Sequence, residues 1–258
     1  MIKIVKSLRL IINYKTFLVT GLSVLSSYLC FRWGFIANFP DMLVGVAIVF
    51  PVVFSISSAY IRRETALQRY SDFKGHAIAI YYASRDWTSN KENDLPTRAR
   101  TILHDLFLTL KMMVKVKDHH QLDDFEKKIY AHFSKLSHLT MEFRNYGVQS
   151  GEISRVSQYI SKMIVAFDNI RMIHRYRTPI TLRAYSKFFI YTFPIIYGPY
   201  FANTFHSFSA QLEYVMPILY SFILVSLDNI QDHLEDPFDG IGEDDIVIEA
   251  EETVNLLT

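Results

Sequence analysis

"MLVGVAIVFPVVFSISSAYI" (Met42–Ile61) is twenty residues without one charged side chain, and its reading decides the fold. A run of that length is what the hydrocarbon core of a bilayer asks of one helix. "TFLVTGLSVLSSYLCFRWGFI" (Thr16–Ile36), with Arg32 as its only charge, precedes it across the short link "ANFPD". A soluble helical protein buries core helices but does not set two such runs side by side. Two more apolar segments lie toward the other end. "FFIYTFPIIYGPYFANTF" (Phe188–Phe205) is broken by Pro194, Gly198 and Pro199, while "YVMPILYSFILVSL" (Tyr214–Leu227) carries Pro217 and is short for a span. Broken or short segments are tolerated in a membrane when they pack against protein rather than lipid. The expectation is an all-α protein with four membrane spans.

Charge is distributed as unevenly as hydropathy. The 258 residues are 50% hydrophobic with net charge +1, an average that a soluble domain can also reach. Residues 188–258, however, hold no Lys or Arg and 12 Asp and Glu, so a basic front and an acidic end are expected to meet in the fold. Lys3, Lys6, Arg9 and Lys15 precede the first span, only Arg32 lies between the first two, and no basic residue separates the last two. Basic residues stay on the cytoplasmic side, which predicts cytoplasmic termini, a cytoplasmic middle and an inner-membrane location. The expected divisions are 1–61 for the first two spans, 62–187 for a cytosolic helical region, 188–227 for the last two spans and 228–258 for an acidic tail. The basic start has no small-residue cleavage site after it and reads as a retained anchor. Cys30, the one cysteine, excludes an intrachain disulfide and reads as a small buried hydrophobe.

The middle reads as long amphipathic helices that extend from the spans into a bundle. Leu122, Phe125, Ile129, Phe133, Leu136, Leu139 and Phe143 fall three or four apart, with Gly147 as a stop. Ile153, Val156, Ile160, Ile164, Phe167 and Ile170 repeat the pattern, and "DWTSNKENDLP" (Asp86–Pro96) reads as a loop. No enzyme motif is present: no G-x-S-x-G, no H-E-x-x-H and no glycine-rich phosphate loop. Asp118-His119-His120 with Asp123 and Asp124 reads as a helix start with acids near its positive end, not as a metal site.

In the second span Val46, Phe50 and Phe54 recur every four residues, a spacing that drifts about 40° per step and draws a slanting stripe along one face. Small residues (Gly45, Ala47, Ser57, Ser58, Ala59) lie between them, and Pro51 bends the helix. Such a stripe serves helix packing in one protomer. Ringed about an axis by several copies, it becomes an apolar constriction that gates ions by dewetting.

These residues resemble the bestrophin family, in particular its bacterial members. Val46, Phe50 and Phe54 followed by Arg62, with Tyr60 just before that Arg, match the family's second span. "DNIQDHLEDPFDGIGEDDI" (Asp228–Ile246) is similar to its fourth span running into a Pro-Phe turn, here Pro237-Phe238, and an acidic cluster. "RYRTPITLRAY" (Arg175–Tyr185) is similar to its Thr-Pro landmark. The resemblance implies a homopentameric channel for monovalent ions with Val46, Phe50 and Phe54 lining a pore neck. It also implies a second constriction on a helix before the Thr-Pro segment, for which Ile160 or Ile164 could serve.

Chloride or other anions are the first choice of permeant ion. The alternatives are a monovalent cation channel of the same fold or a non-conducting membrane scaffold or sensor. The resemblance implies no required cofactor and no nucleic-acid partner. In animal members the acidic turn clasps calcium, and Asp244 and Asp245 could offer carboxylates to it. The "DGI" inserted after Pro237-Phe238 departs from that pattern, and pairing of these acids with basic side chains is the favoured expectation. Ser55-Ile56-Ser57 after the neck, and Arg63-Glu64 after Arg62, are further departures from the bacterial pattern.

Overall fold

The structure is a computed structural model and describes residues 11–38, 41–89, 93–176, 179–204, 212–240 and 244–255. Among the described residues there are helices and no strand: α1 Tyr14–Trp33, α2 Asp41–Asp86, α3 Leu95–Met113, α4 His119–Glu142, α5 Ser150–Arg175, α6 Ile180–Ile196, α7 Gly198–Thr204, α8 Leu212–Glu235 and α9 Ala250–Asn255. The chain divides into two compact units. One holds residues 1–63, 177–237 and 241–244, the other residues 64–176, 238–240 and 245–258. By compactness the divisions fall after Arg63 and Tyr176, and the 177–187 segment goes with the apolar helices.

In the first unit α1 packs against α6, α7 and α8, and α6 packs against α8. Asn13 starts α1 by accepting the backbone N–H of Lys15, while Thr16 answers the Asn13 N–H. Gly34, at φ 71°, ends it in the left-handed conformation that glycine takes without a Cβ clash. The face α1 buries consists of Thr16, Val19, Ser23 and Ser27, whereas Phe17, Leu18, Leu22, Leu25 and Trp33 point outward. Small buried residues and bulky exposed ones invert the pattern of a helix on a water-facing protein and fit helices that pack closely inside lipid.

The breaks in the third apolar segment have specific remedies. Pro199 has no N–H to offer the Ile195 carbonyl, and that carbonyl accepts the Ser26 hydroxyl at 2.7 Å instead. The chain turns at Tyr197, and the Pro194 carbonyl accepts Ser23 Oγ at 2.7 Å. Gly198 lets α7 start against α1, since a Cβ there would lie 3.0 Å from the backbone carbon of Ser26. The fourth segment is longer than its apolar core: α8 runs unbroken through the acidic stretch to Glu235, about 36 Å of helix. Its Tyr214–Glu235 portion is the one described helix long and apolar enough, by length and composition, to cross a membrane. Cys30 is half-buried beside an apolar cavity lined by Leu25, Leu29, Trp33 and Phe35, where full burial was expected.

The second unit has the opposite pattern. Leu122, Ile129, Phe133, Leu136, Leu139 and Phe143 of the periodic run are buried, and Phe125 packs against them. Phe107, Phe73 and Phe133 form edge-on contacts with centroids 5.2 and 6.4 Å apart, and Phe167 joins Phe133 at 5.9 Å. Asp118 caps α4 by accepting the His120 N–H, as its place before the helix predicts. Gly147, at φ 80°, closes the turn after α4. The acidic tail is not wholly solvated: Ile246, Ile248 and Ala250 alternate into this core, and α9 packs on α3.

Candidate functional site

Along the first part of α2, Ile48, Val52, Ser55 and Ala59 are buried at helical spacing. At about 100° per residue, Val46, Phe50 and Phe54 lie roughly opposite that stripe. Their exposures are 47%, 56% and 60%, so these side chains turn away from their own unit. The Phe50 and Phe54 rings stand 6.0 Å apart along the face. Val49 and Val53, also exposed, widen it beyond the stripe read from the sequence. Pro51 sits mid-helix without an N–H, and its carbonyl accepts Ser186 Oγ at 3.3 Å, tying this turn of α2 to α6. The result is a bulky hydrocarbon surface with no charge of its own, suited to contact lipid, another subunit or a dewetted passage.

Arg62 and Arg63 tie this part of α2 to the end of α8 and the chain after it. Arg62 donates its Nε–H to the Glu235 carbonyl at 3.0 Å, placing a cation at the C-terminal end of α8, where the helix dipole is negative. Arg63 donates to the Asp244 carbonyl at 3.0 and 2.9 Å. Tyr60 is exposed, and Phe238 is buried in the core of the second unit. Pro237 follows the helix end by two residues, a common stop.

The acids of α8 have in-chain partners that sequence reading did not pair individually. Lys187 Nζ lies 2.9 Å from Asp232 and 3.9 Å from Asp228, and Lys15 lies 3.8 Å from Asp232. Arg183 meets the buried Glu235 at 2.6 Å. Tyr191 donates its hydroxyl to Asp228 at 2.5 Å, and Asn13 donates to Asn229 at 2.8 Å. Asp228, Asp232 and Glu235 fall at i, i+4 and i+7, a signal legible once α8 is known to continue past its apolar part.

The remaining candidates fare differently. Ile160 is 6% exposed and belongs to the core of the second unit, with Ile164 packed against it. The second-constriction expectation is therefore corrected: the periodicity that made these residues look like core prevails. On the exposed side of α5 the apolar side chain is Val165, 55% exposed. Among the described residues no three His, Cys, Asp or Glu side chains gather as a metal site. Ile241, Gly242 and Glu243 of the acidic turn lie outside the described residues.

No family model matches the chain, and no curated protein matches its sequence. Solved structures do. The crystal structure of a single-substitution variant of a bacterial bestrophin homologue from Klebsiella pneumoniae superposes with TM-score 0.78 at 17% identity, covering 94% of each chain. A second variant of that homologue gives TM-score 0.75 at 16% identity, over 94% of this chain and 96% of the other. A crystal structure described as that of a membrane protein gives 0.75 at 15% identity, over 95% of this chain and 94% of the other. At such identities the likeness establishes the fold, end to end.

Proposed function

We propose that this chain, built on the fold of the bacterial bestrophin homologues, is the subunit of a homopentameric channel for monovalent ions in the inner membrane. Four spans cross the bilayer, with both termini and the helical unit on the cytoplasmic side. The observation that carries the reading is the apolar face of α2. Val46, Phe50 and Phe54 point away from their own unit, and α1 likewise buries small residues and presents large apolar ones. Five copies turned inward make a neck of hydrocarbon in which water is disfavoured, so conduction requires the neck to widen.

A neck without charge cannot choose the sign of an ion, and that choice falls to fixed charges in the wider parts of the passage. Chloride and other small anions are the proposed cargo, with cations as the outcome that the test must separate. Val165 replaces Ile160 and Ile164 as the side chain available to line a second narrowing. The reading requires no cofactor. The Arg63 guanidinium takes up the Asp244 backbone carbonyl, an oxygen that a calcium ion would otherwise be offered, and this favours the reading without calcium.

Purified protein in liposomes tests the proposal. Phe50→Ala and Phe54→Ala should each raise ion flux several-fold, because a smaller side chain wets the neck. In asymmetric KCl the reversal potential should lie toward the chloride equilibrium. A value toward potassium assigns a cation channel. Absence of flux in wild type and both variants defeats the channel and leaves a membrane scaffold.

A further inference from the structure

One cavity is bordered by charged side chains to which no role has been given above. In the second unit, Arg69, Asp72 and His76 of α2 and Ser161, Lys162 and Val165 of α5 border a space of about 210 Å³. Two permanent cations face one carboxylate there. Arg69 directs Nη1 to Asp72 at 3.1 Å, and its Nε–H is buried without an acceptor. Lys162 has no carboxylate partner among the described residues. The His76 ring lies nearly parallel to Tyr159, with centroids 6.2 Å apart. Burial, then the charge of Lys162, hold the His76 pKa below its ordinary value, with Asp72 opposing them.

A buried donor without an acceptor is costly. Arg69 keeps part of its planar fork free, and a guanidinium fork matches the oxygens of phosphate better than it matches a spherical halide. The space is smaller than the pockets that enclose drug-sized ligands, which favours an inorganic ion.

We propose that this cavity binds a small free oxyanion of the phosphate class, held by Arg69 and Lys162 with His76 and Ser161 as further donors. Val165 borders the same space, so an occupied site would put negative charge beside the second narrowing. That consequence rests on the channel reading; the binding itself does not.

Thermal unfolding of the full-length protein in detergent tests it, with inorganic phosphate replacing chloride at constant ionic strength. The wild-type midpoint should rise saturably with phosphate, as it does when a ligand binds only the folded state. Arg69→Gln and Lys162→Gln should each weaken the apparent affinity about tenfold, the loss of roughly one charged hydrogen bond. Lys162→Arg should keep the response. Lys162 is exposed, so its variants should match the wild-type midpoint in chloride alone. No rise in wild type, or an equal rise in wild type and in both glutamine variants, overturns the site as an ordinary salt effect. Stabilisation by a short-chain phosphatidic acid and not by inorganic phosphate also overturns it, in favour of a lipid headgroup. Midpoints do not depend on flux, so failure here and failure of the channel reading are separately visible.

Discussion

The two units solve opposite problems with similar helices. The second hides aromatic and aliphatic side chains (Phe73, Phe107, Phe133, Phe167) and turns charge outward, as a protein in water must. The first buries Ile190, Phe201 and Val225 together with Thr16, Ser23, Ser27, Ser55 and Ser221, and exposes Phe17, Val46, Phe50, Phe54 and Ile223. The hydrophobic effect drives helices together only where the alternative is water. In the first unit, close approach of small residues and hydrogen bonds such as Ser23 to the Pro194 carbonyl also hold the helices together. The large apolar side chains on the surface of the first unit and those in the core of the second should therefore respond differently to the same substitution.

The largest contrast is between two phenylalanines. Phe107→Ala should cost about 3–5 kcal/mol of stability through the cavity it leaves, read as a lowered unfolding midpoint. Phe50→Ala, which removes an exposed ring, should leave that midpoint close to wild type while flux rises. Equal loss at both sites would erase the distinction between the units.

Next is the charge cluster at the end of α8. Arg183→Met leaves Glu235, 3% exposed, without its nearest cation. Because Arg183 itself is part-exposed, the expected loss is about 2–3 kcal/mol rather than the full cost of breaking a buried pair. Arg183→Met,Glu235→Gln together should recover part of it in a double-mutant cycle.

Glycine positions sharpen the comparison inside the first unit alone. Gly198→Ala pushes a Cβ into Ser26 and should destabilise by about 1–3 kcal/mol, an overpacking effect. Gly45→Ala meets no atom within 4 Å and should be neutral or slightly stabilising, because alanine favours helix. Thermal midpoints of the two variants decide it.

The smallest effect is one of pH and belongs to the second unit. His132 accepts or donates at Thr109 Oγ1, 3.3 Å away, while Lys135 and burial disfavour its charged form and Asp105 favours it. Burial is the largest of these and lowers its folded pKa, as burial also does for His76. The unfolded chain then takes up protons first, so stability is complete above the ordinary histidine pKa of about 6.5 and falls as pH drops from there toward the folded value. His132→Asn should flatten that slope between pH 7.5 and 5.5.

Much of this was legible in the residues because periodicity carries it. Leu122 through Phe143 and Ile153 through Ile170 gave the helices and core of the second unit, since a helix in water needs an apolar face every three or four residues. The stripe Val46, Phe50, Phe54 was also visible, but periodicity does not say which way a stripe points. Ile160 and Ile164, which the resemblance offers for a second constriction, pack into the core of their own unit. The length of α8 was obscured by its change of composition at Asp228, because its acidic half looks like a tail until its partners Lys15, Arg183 and Lys187 are placed. Ile246 and Ile248 alternate in a way that signals one buried face, yet the surrounding acids mask it.

The sequence by itself determined that this is an all-helical protein with apolar segments at both ends, a helical middle and a basic front balanced against an acidic end. Those properties follow from composition and spacing, which act along the chain. It took the fold to show that the stripe Val46, Phe50, Phe54 faces away from its own unit, that the α8 carboxylates have named basic partners, and that serine hydroxyls reach the Pro194 and Ile195 carbonyls. Each depends on residues far apart in sequence meeting in space, and local periodicity holds no record of that meeting.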